Sequence, residues 1–129
     1  MPETILDASA VLAYLQQEPG HDLVETALMD QAVISAVNLA EVVAKLTDGG
    51  MPESIVEEVL DDLALMVIPL DIPVAKITGF LIPQTKPYGL SLGDRACLAL
   101  ATFRKSPVLT ADRQWLALSL PIDIRLIRP

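Results

Sequence analysis

The sequence of 129 residues has a single cysteine, Cys97, so no disulfide can form within the chain. One cysteine and one histidine, His21, are also too few for a zinc site built from the usual nitrogen and sulfur ligands. Aromatic residues make up only 4%, which predicts an aliphatic core and leaves no platform for stacking bases. No apolar run approaches the roughly 20 residues of a membrane helix, and no basic segment precedes an apolar stretch at the N-terminus. We therefore expect a cytoplasmic protein with no membrane partner.

Basic residues are scarce in the first part of the chain. The net charge of −8 argues at first against a nucleic-acid partner, because phosphate repels an acidic surface. Residues 1–71 hold 14 acids and one base, Lys45, whereas residues 72–129 hold three acids and eight bases. The basic second part is compatible with a polyanionic substrate but does not establish one, since the two parts fold together.

The hydrophobic pattern predicts one α/β domain over residues 1–129. Apolar residues make up 52% and charged residues 20%, which is typical of a packed core rather than disorder. Short apolar segments predict strands near residues 3–6, 32–36, 66–70, 107–110 and 124–127. Helical spacing predicts helices near residues 8–18, 21–30, 36–50, 51–65, 71–84, 91–105 and 112–119. This alternation indicates a mostly parallel sheet covered by helices on both faces.

Three aspartates lie in apolar surroundings, where a charge is costly unless it is paired or bound to a cation. Each also has a local explanation as a helix cap. Asp7 and Asp112 follow predicted strands and can cap the helices behind them. Asp94 stands three residues after Ser91, which is the spacing of a capping box.

Glu41 is the fourth such acid. It lies in an apolar segment, residues 36–44, within the predicted helix over residues 36–50. An ion pair with Lys45 one turn later would explain it, although such a pair contributes only about 0.2–0.5 kcal/mol. Asn38, Glu41 and Lys45 share one stripe of this helix, so the helix can equally present a polar edge to a cleft. The residues alone leave both interpretations open.

Taken together, the four acids predict a metal site. Asp7 and Asp112 follow strands, and the helices that carry Glu41 and Asp94 can flank the same edge of a parallel sheet. Four converging carboxylates would repel one another unless a cation joined them. Ligation by oxygen alone points to Mg²⁺ or Mn²⁺. Such ions can orient water against a phosphodiester and offset charge on the leaving oxygen, so no protein nucleophile is needed.

Four further residues are candidates for supporting roles. Ser9 and Thr110 can hydrogen-bond the carboxylates or a water at the site, or can simply support local turns. Arg95 and Arg113 each follow a candidate acid and can contact a phosphate, although solvated helix charges explain them equally well.

Four stretches of the chain resemble, in the same order, the motifs of PIN-domain proteins, and among these the VapC-type toxins of prokaryotic toxin–antitoxin pairs. They span nearly the whole length and read ILDASAVLAYL, ISAVNLAEVVAKL, LSLGDRACLALA and VLTADRQW. The resemblance implies a three-layer α/β/α sandwich around a mostly parallel sheet of four to five strands. It also implies an endoribonuclease that needs Mg²⁺ or Mn²⁺, that dimerises, and that a cognate antitoxin protein holds inactive.

The resemblance places the acidic quartet of the family on Asp7, Glu41, Asp94 and Asp112, with Ser9 and Thr110 as polar helpers. The resulting hypothesis is metal-assisted hydrolysis of RNA, in which Glu41 either ligates the metal or orients the attacking water. Two alternatives stay open. One is a non-catalytic interaction module whose acids serve only as caps. The other is a phosphorylated signalling domain of the receiver type, which would need adjacent acids after the first strand, whereas Ala8 follows Asp7.

Overall fold

The structure is a computed structural model that describes residues 2–129. Its strands are β1 (Thr4–Leu6), β2 (Ala32–Ser35), β3 (Met66–Ile68), β4 (Val108–Thr110) and β5 (Ile124–Leu126). Its α-helices are α1 (Ala8–Leu15), α2 (His21–Asp30), α3 (Ala36–Asp48), α4 (Glu53–Leu63), α5 (Ile72–Phe80), α6 (Ile82–Thr85) and α7 (Leu92–Arg104). The predicted alternation of strands and helices is confirmed.

The five strands form one parallel sheet in the order β3-β2-β1-β4-β5. Central β1 pairs with β2 through Ile5 and Val33 and with β4 through Ile5 and Val108. Side chains alternate across the sheet, so Leu6, Ile34 and Leu109 share one core with α1 to α4. Ile5, Val33 and Val108 share the other core with α5 and α7. This arrangement is the expected three-layer α/β/α sandwich.

Two predicted helices differ from the observed ones. The predicted helix over residues 71–84 is divided at Leu81 into α5 and α6. Pro83 explains the break, because it has no N–H group to bond the carbonyl of Gly79. The predicted helix over residues 112–119 is a 3₁₀ turn spanning Arg113–Ala117.

The strand order reverses beside β1, because the chain adds β2 and β3 on one side and then crosses to β4 on the other. In open parallel sheets, ligands bind outside the carboxyl ends of the strands at such a reversal. Asp7 directly follows β1, and Thr110 ends β4. The topology therefore predicts a ligand site at the edge of the sheet where β1 and β4 end.

Candidate active site

A cleft of about 270 Å³ opens at the carboxyl edge of β1 and β4. The four predicted acids all line it, and so do Ser9 and Lys45; the complete lining is Asp7, Ala8, Ser9, Leu12, Glu41, Lys45, Asp94 and Asp112. Residues separated by more than a hundred positions thus reach one place, because two adjacent parallel strands end there and α3 and α7 pack beside them.

Asp7 lies deepest, with only 4% of its surface exposed. It caps α1 as predicted, and its Oδ1 accepts hydrogen bonds from the Ala10 amide at 2.8 Å and the Ser9 hydroxyl at 2.7 Å. Its Oδ2 accepts a hydrogen bond from the Thr110 hydroxyl at 2.6 Å. The cap therefore uses only part of this carboxylate, and two hydroxyl groups orient the rest.

Ser9 and Thr110 also hold the segment that carries Asp112. The Ser9 hydroxyl accepts the Ala111 N–H at 3.0 Å, and the Thr110 hydroxyl accepts the Asp112 N–H at 3.0 Å. These two hydroxyls therefore connect the start of α1 to the residues that follow β4. Their arrangement goes beyond the support of a local turn.

Burial raises the pKa of Asp7 to about 6, because the ionised carboxylate loses its hydration. Hydrogen bonds from Thr110, Ser9 and the Ala10 amide oppose this rise in pKa, and the nearby charge of Asp94 adds to it. Within residues 2–129, ion pairs join Glu3 to Arg104, Asp123 to Arg125, and Glu18 to Arg128, and none reaches Asp7. Its negative charge is buried without a protein cation.

Glu41 is held by residues of two helices. The Asn38 amide, 1% exposed, donates one hydrogen bond to Glu41 Oε1 at 2.7 Å and a second to the Gly93 carbonyl at 3.0 Å. A Cβ atom at Gly93 would collide with the Glu41 carboxylate, so only glycine leaves the carboxylate this space. The sequence placed Asn38 on the polar stripe of α3 without a specific partner, and it gave no signal for Gly93. A buried asparagine in an apolar run is a usable signal, whereas the need for glycine follows only from the packing of α3 on α7.

Asp94 and Asp112 both act as helix caps and line the cleft. Asp94 completes the predicted capping box, since its Oδ2 accepts the Ser91 N–H at 3.0 Å. Asp112 Oδ1 accepts the Gln114 N–H at 2.9 Å at the start of the 3₁₀ turn. Capping and a place in the cleft are therefore compatible for these residues.

Cys97 lies on α7, the helix whose first turn carries Asp94. Its thiol is fully buried, and burial raises its pKa well above the usual range. The charges of Asp7, Asp94 and Glu41 raise the pKa of this thiol further. Cys97 is a core residue.

The donor set fits a hard divalent cation, since carboxylates and hydroxyls supply only oxygen ligands. As they stand, no three histidine, cysteine, aspartate or glutamate side chains of residues 2–129 form a group able to hold an ion. The carboxylates of Asp94 and Asp112 are turned to the amides of their own helix ends. The buried, uncompensated charge of Asp7 is the feature that calls for a cation here.

Neither arginine predicted to contact phosphate lines the cleft. Arg95 donates from Nη1 to the Leu90 carbonyl at 3.1 Å, and Arg113 is exposed on the 3₁₀ turn. The basic residue that lines the cleft is Lys45. A phosphate role for either arginine stays a prediction, with no contact to the cleft to support it.

Solved structures share the fold across the whole chain. A toxin–antitoxin complex from Klebsiella pneumoniae contains a chain with a TM-score of 0.76 and 17% identity, covering 97% of this chain and 98% of that one. DNA-bound VapBC from Salmonella typhimurium contains a chain with a TM-score of 0.77 and 19% identity, covering 98% of this chain and 99% of that one. VapBC-5 from Mycobacterium tuberculosis contains a chain with a TM-score of 0.61 and 21% identity, covering 99% of this chain and 100% of that one. At these identities the similarity is one of fold.

No curated protein matches the sequence significantly. None of the helices in residues 2–129 is both long enough and apolar enough to span a membrane. A family model described as the PIN domain matches residues 4–119, which includes all four acids of the cleft. The chain therefore belongs to the PIN-domain family of nucleases.

Proposed function

We propose that this protein is a Mg²⁺- or Mn²⁺-dependent endoribonuclease and the toxin of a VapBC-type toxin–antitoxin pair, acting in the cytoplasm. The observation that carries the proposal is the buried carboxylate of Asp7, which has no protein cation and shares one cleft with Glu41, Asp94 and Asp112. A caps-only interaction module would have no need to bury Asp7 beside other acids. The family match leaves the receiver-type alternative without support.

In the proposed mechanism, Asp7, Asp94 and Asp112 would hold the cation, and Ser9 and Thr110 fix the orientation of Asp7. A bound divalent ion supplies water activation and offsets charge on the leaving oxygen. Water would attack phosphorus and give up a proton, and the bond to the leaving ribose oxygen would break as that oxygen takes up a proton from solvent. Glu41, oriented by Asn38, either ligates the ion or orients the attacking water.

The test is cleavage of total cellular RNA by the purified protein after metal stripping, with Mg²⁺, Mn²⁺ or chelator added. We expect internal cuts that require the ion and that disappear in Asp7→Asn. Asp30→Asn is the matched control, since Asp30 is an exposed aspartate on α2 away from the cleft. Full cleavage by Asp7→Asn, or no cleavage by the wild type with either ion, would overturn the proposal.

An antitoxin partner is part of the proposal because the similar structures are described as toxin–antitoxin complexes. A hollow of about 540 Å³ between α3 and α4 supports it. Its walls are largely apolar and its rim carries Glu53, Glu57 and Asp61, a combination that suits an amphipathic, basic helix. Co-expression with the adjacent reading frame should give a complex in which RNA cleavage is lost, whereas full activity in the complex would contradict an antitoxin.

A homodimer is the remaining part of the proposal. Large apolar side chains are exposed along α5 and at the start of α7, namely Ile72, Phe80 and Leu92. Exposed large apolar side chains commonly mark protein interfaces when they form a contiguous patch. Sedimentation equilibrium should show a dimer that Phe80→Glu dissociates, and a wild-type monomer would contradict it.

A further inference from the structure

Lys45 borders two hollows of the surface. It lies on α3 one helical turn after Glu41 and lines the acidic cleft. It also lines a neighbouring hollow of about 360 Å³, together with Leu15, Gln16, Leu46, Gly49, Met51 and Val59. The two hollows therefore meet at this side chain.

The ammonium group of Lys45 has no carboxylate partner, although the sequence spacing suggested one. Glu41 is instead held by Asn38 against Gly93, and the three ion pairs of residues 2–129 involve other residues. Lys45 is the only lysine or arginine in residues 1–71. Its position in the last turn of α3 gives it some interaction with the helix dipole, which is worth only about 0.3–1 kcal/mol.

A single strand of RNA entering this cleft meets a problem of charge. A divalent ion held by the acids would compensate the phosphate being cleaved, but the flanking phosphates would approach a cleft whose lining has four acids and one base. An uncommitted ammonium at the rim of the cleft is the group that can hold a flanking phosphate. Beyond it, the apolar wall of the second hollow suits the face of a base, and Gln16 offers both a donor and an acceptor to a base edge.

We propose that Lys45 binds the phosphate next to the one being cleaved, and that the neighbouring hollow receives the nucleoside beyond it. This inference rests on the proposed ribonuclease function and assigns that function a substrate subsite. Lys45 acts here in binding and positioning the substrate, and it takes no part in the bond-breaking step.

The first experiment compares Lys45→Met with Lys76→Met, which removes an exposed helical lysine that lines neither hollow. With a short single-stranded RNA, we expect KM to rise about tenfold in Lys45→Met, the loss of one charge-assisted contact. We expect kcat to change less than twofold, and Lys45→Arg to restore KM. The plot of log affinity against log salt has a negative slope, and in Lys45→Met this slope should become shallower by about 0.7. That is the value for one phosphate contact to a single strand.

The outcomes separate this inference from the function on which it rests. If the wild type shows no metal-dependent cleavage, both fail. If the wild type cleaves RNA and Lys45→Met keeps the wild-type KM and salt slope, only the subsite fails. An equal rise of KM in Lys76→Met would show a general effect of charge and would also overturn the subsite.

A second experiment tests the hollow. Substrates carry one abasic nucleotide at each position around the mapped cleavage site in turn. We expect one position, on one side of the cut, to raise the wild-type KM several-fold, and Gln16→Ala to change the preferred base there. A KM that ignores the base at every flanking position would leave the hollow without this role.

Discussion

The carboxylates at the two ends of β1 differ in whether a protein cation neutralises them. Glu3 precedes the strand and accepts two hydrogen bonds of 2.8 Å from Arg104, the last residue of α7, and one of 2.7 Å from Ser106. The Arg104 guanidinium lowers the pKa of Glu3 to about 2. Asp7 follows the strand, is oriented only by neutral donors, and has a pKa raised to about 6 by burial. The chain compensates its own charge at one edge of the sheet and leaves it uncompensated at the other.

The difference is the one expected between a structural carboxylate and the metal-binding carboxylate that we propose. A buried acid that lacks a cation lowers stability, and an acid with a pKa shifted by burial in a cleft is a candidate for a functional role. The same helix shows the contrast, since α7 has Arg104 at its last turn beside Glu3 and Asp94 in its first turn beside the cleft. Stability should therefore depend on the Glu3 edge, and cleavage on the Asp7 edge.

The largest expected effect is on catalysis. Asp7→Asn should reduce RNA cleavage on the order of a thousandfold, because metal-assisted stabilisation of the transition state is worth several kcal/mol. The fold should survive, since asparagine also caps helices well. Glu3→Gln should keep the specific activity of the folded protein within about twofold. Initial rates at saturating Mn²⁺, with circular dichroism as the check on folding, measure both, and equal losses in the two variants would remove the contrast.

The next effect is on the pH dependence of stability, and its sign differs at the two edges. The pKa of Asp7 rises from 3.8 to about 6 on folding, so the unfolded state loses its proton first as pH rises. This lowers the free energy of unfolding between about pH 4 and pH 6, by on the order of 3 kcal/mol, and the loss persists above pH 6. Glu3, with its pKa lowered from 4.5 to about 2, contributes stability above pH 4.5 that is lost as pH falls towards 2.

Urea unfolding in chelator, compared between wild type and variants, isolates each contribution. In Asp7→Asn the loss of stability between pH 4 and pH 6 should disappear. In Glu3→Gln the loss on acidification below pH 4.5 should become smaller. The same pH profile in wild type and Asp7→Asn would mean that burial does not raise the pKa of Asp7.

Much of the fold could be predicted from the sequence, because β1, β2 and β4 are short apolar segments buried on both faces. The common edge of the four acids followed from the rule that parallel strands end together. Two features of the site could not be predicted from the local sequence pattern. Neither the fit of the Glu41 carboxylate against Gly93 nor the freedom of Lys45 from Glu41 is visible before α3 packs on α7. The division of the helix at Leu81 could have been read from Pro83.

A divalent ion should stabilise the protein through the Asp7 edge alone. At a concentration a hundred times its dissociation constant, Mn²⁺ should add about 2.7 kcal/mol to the free energy of unfolding and raise Tm by several degrees. Asp94→Asn, which can keep the hydrogen bond to the Ser91 amide, should lose most of this shift, and Glu3→Gln should keep it. Differential scanning calorimetry with and without Mn²⁺ measures the shift. Equal Tm values in the wild type would favour acids that serve only as caps.

The smallest effect, and the sharpest control, comes from a pair of helical glycines. Gly93→Ala places a methyl group against the Glu41 carboxylate, which must shift to make room for it. Cleavage should fall about tenfold, which corresponds to a loss of about 1.4 kcal/mol in transition-state stabilisation, while the folded state remains. Gly79→Ala on α5 meets no atom within 4 Å and should only gain helix propensity, about 0.5–1 kcal/mol. If Gly93→Ala cleaves RNA as fast as Gly79→Ala, the position of Glu41 does not matter for the reaction, and the site reduces to the three aspartates.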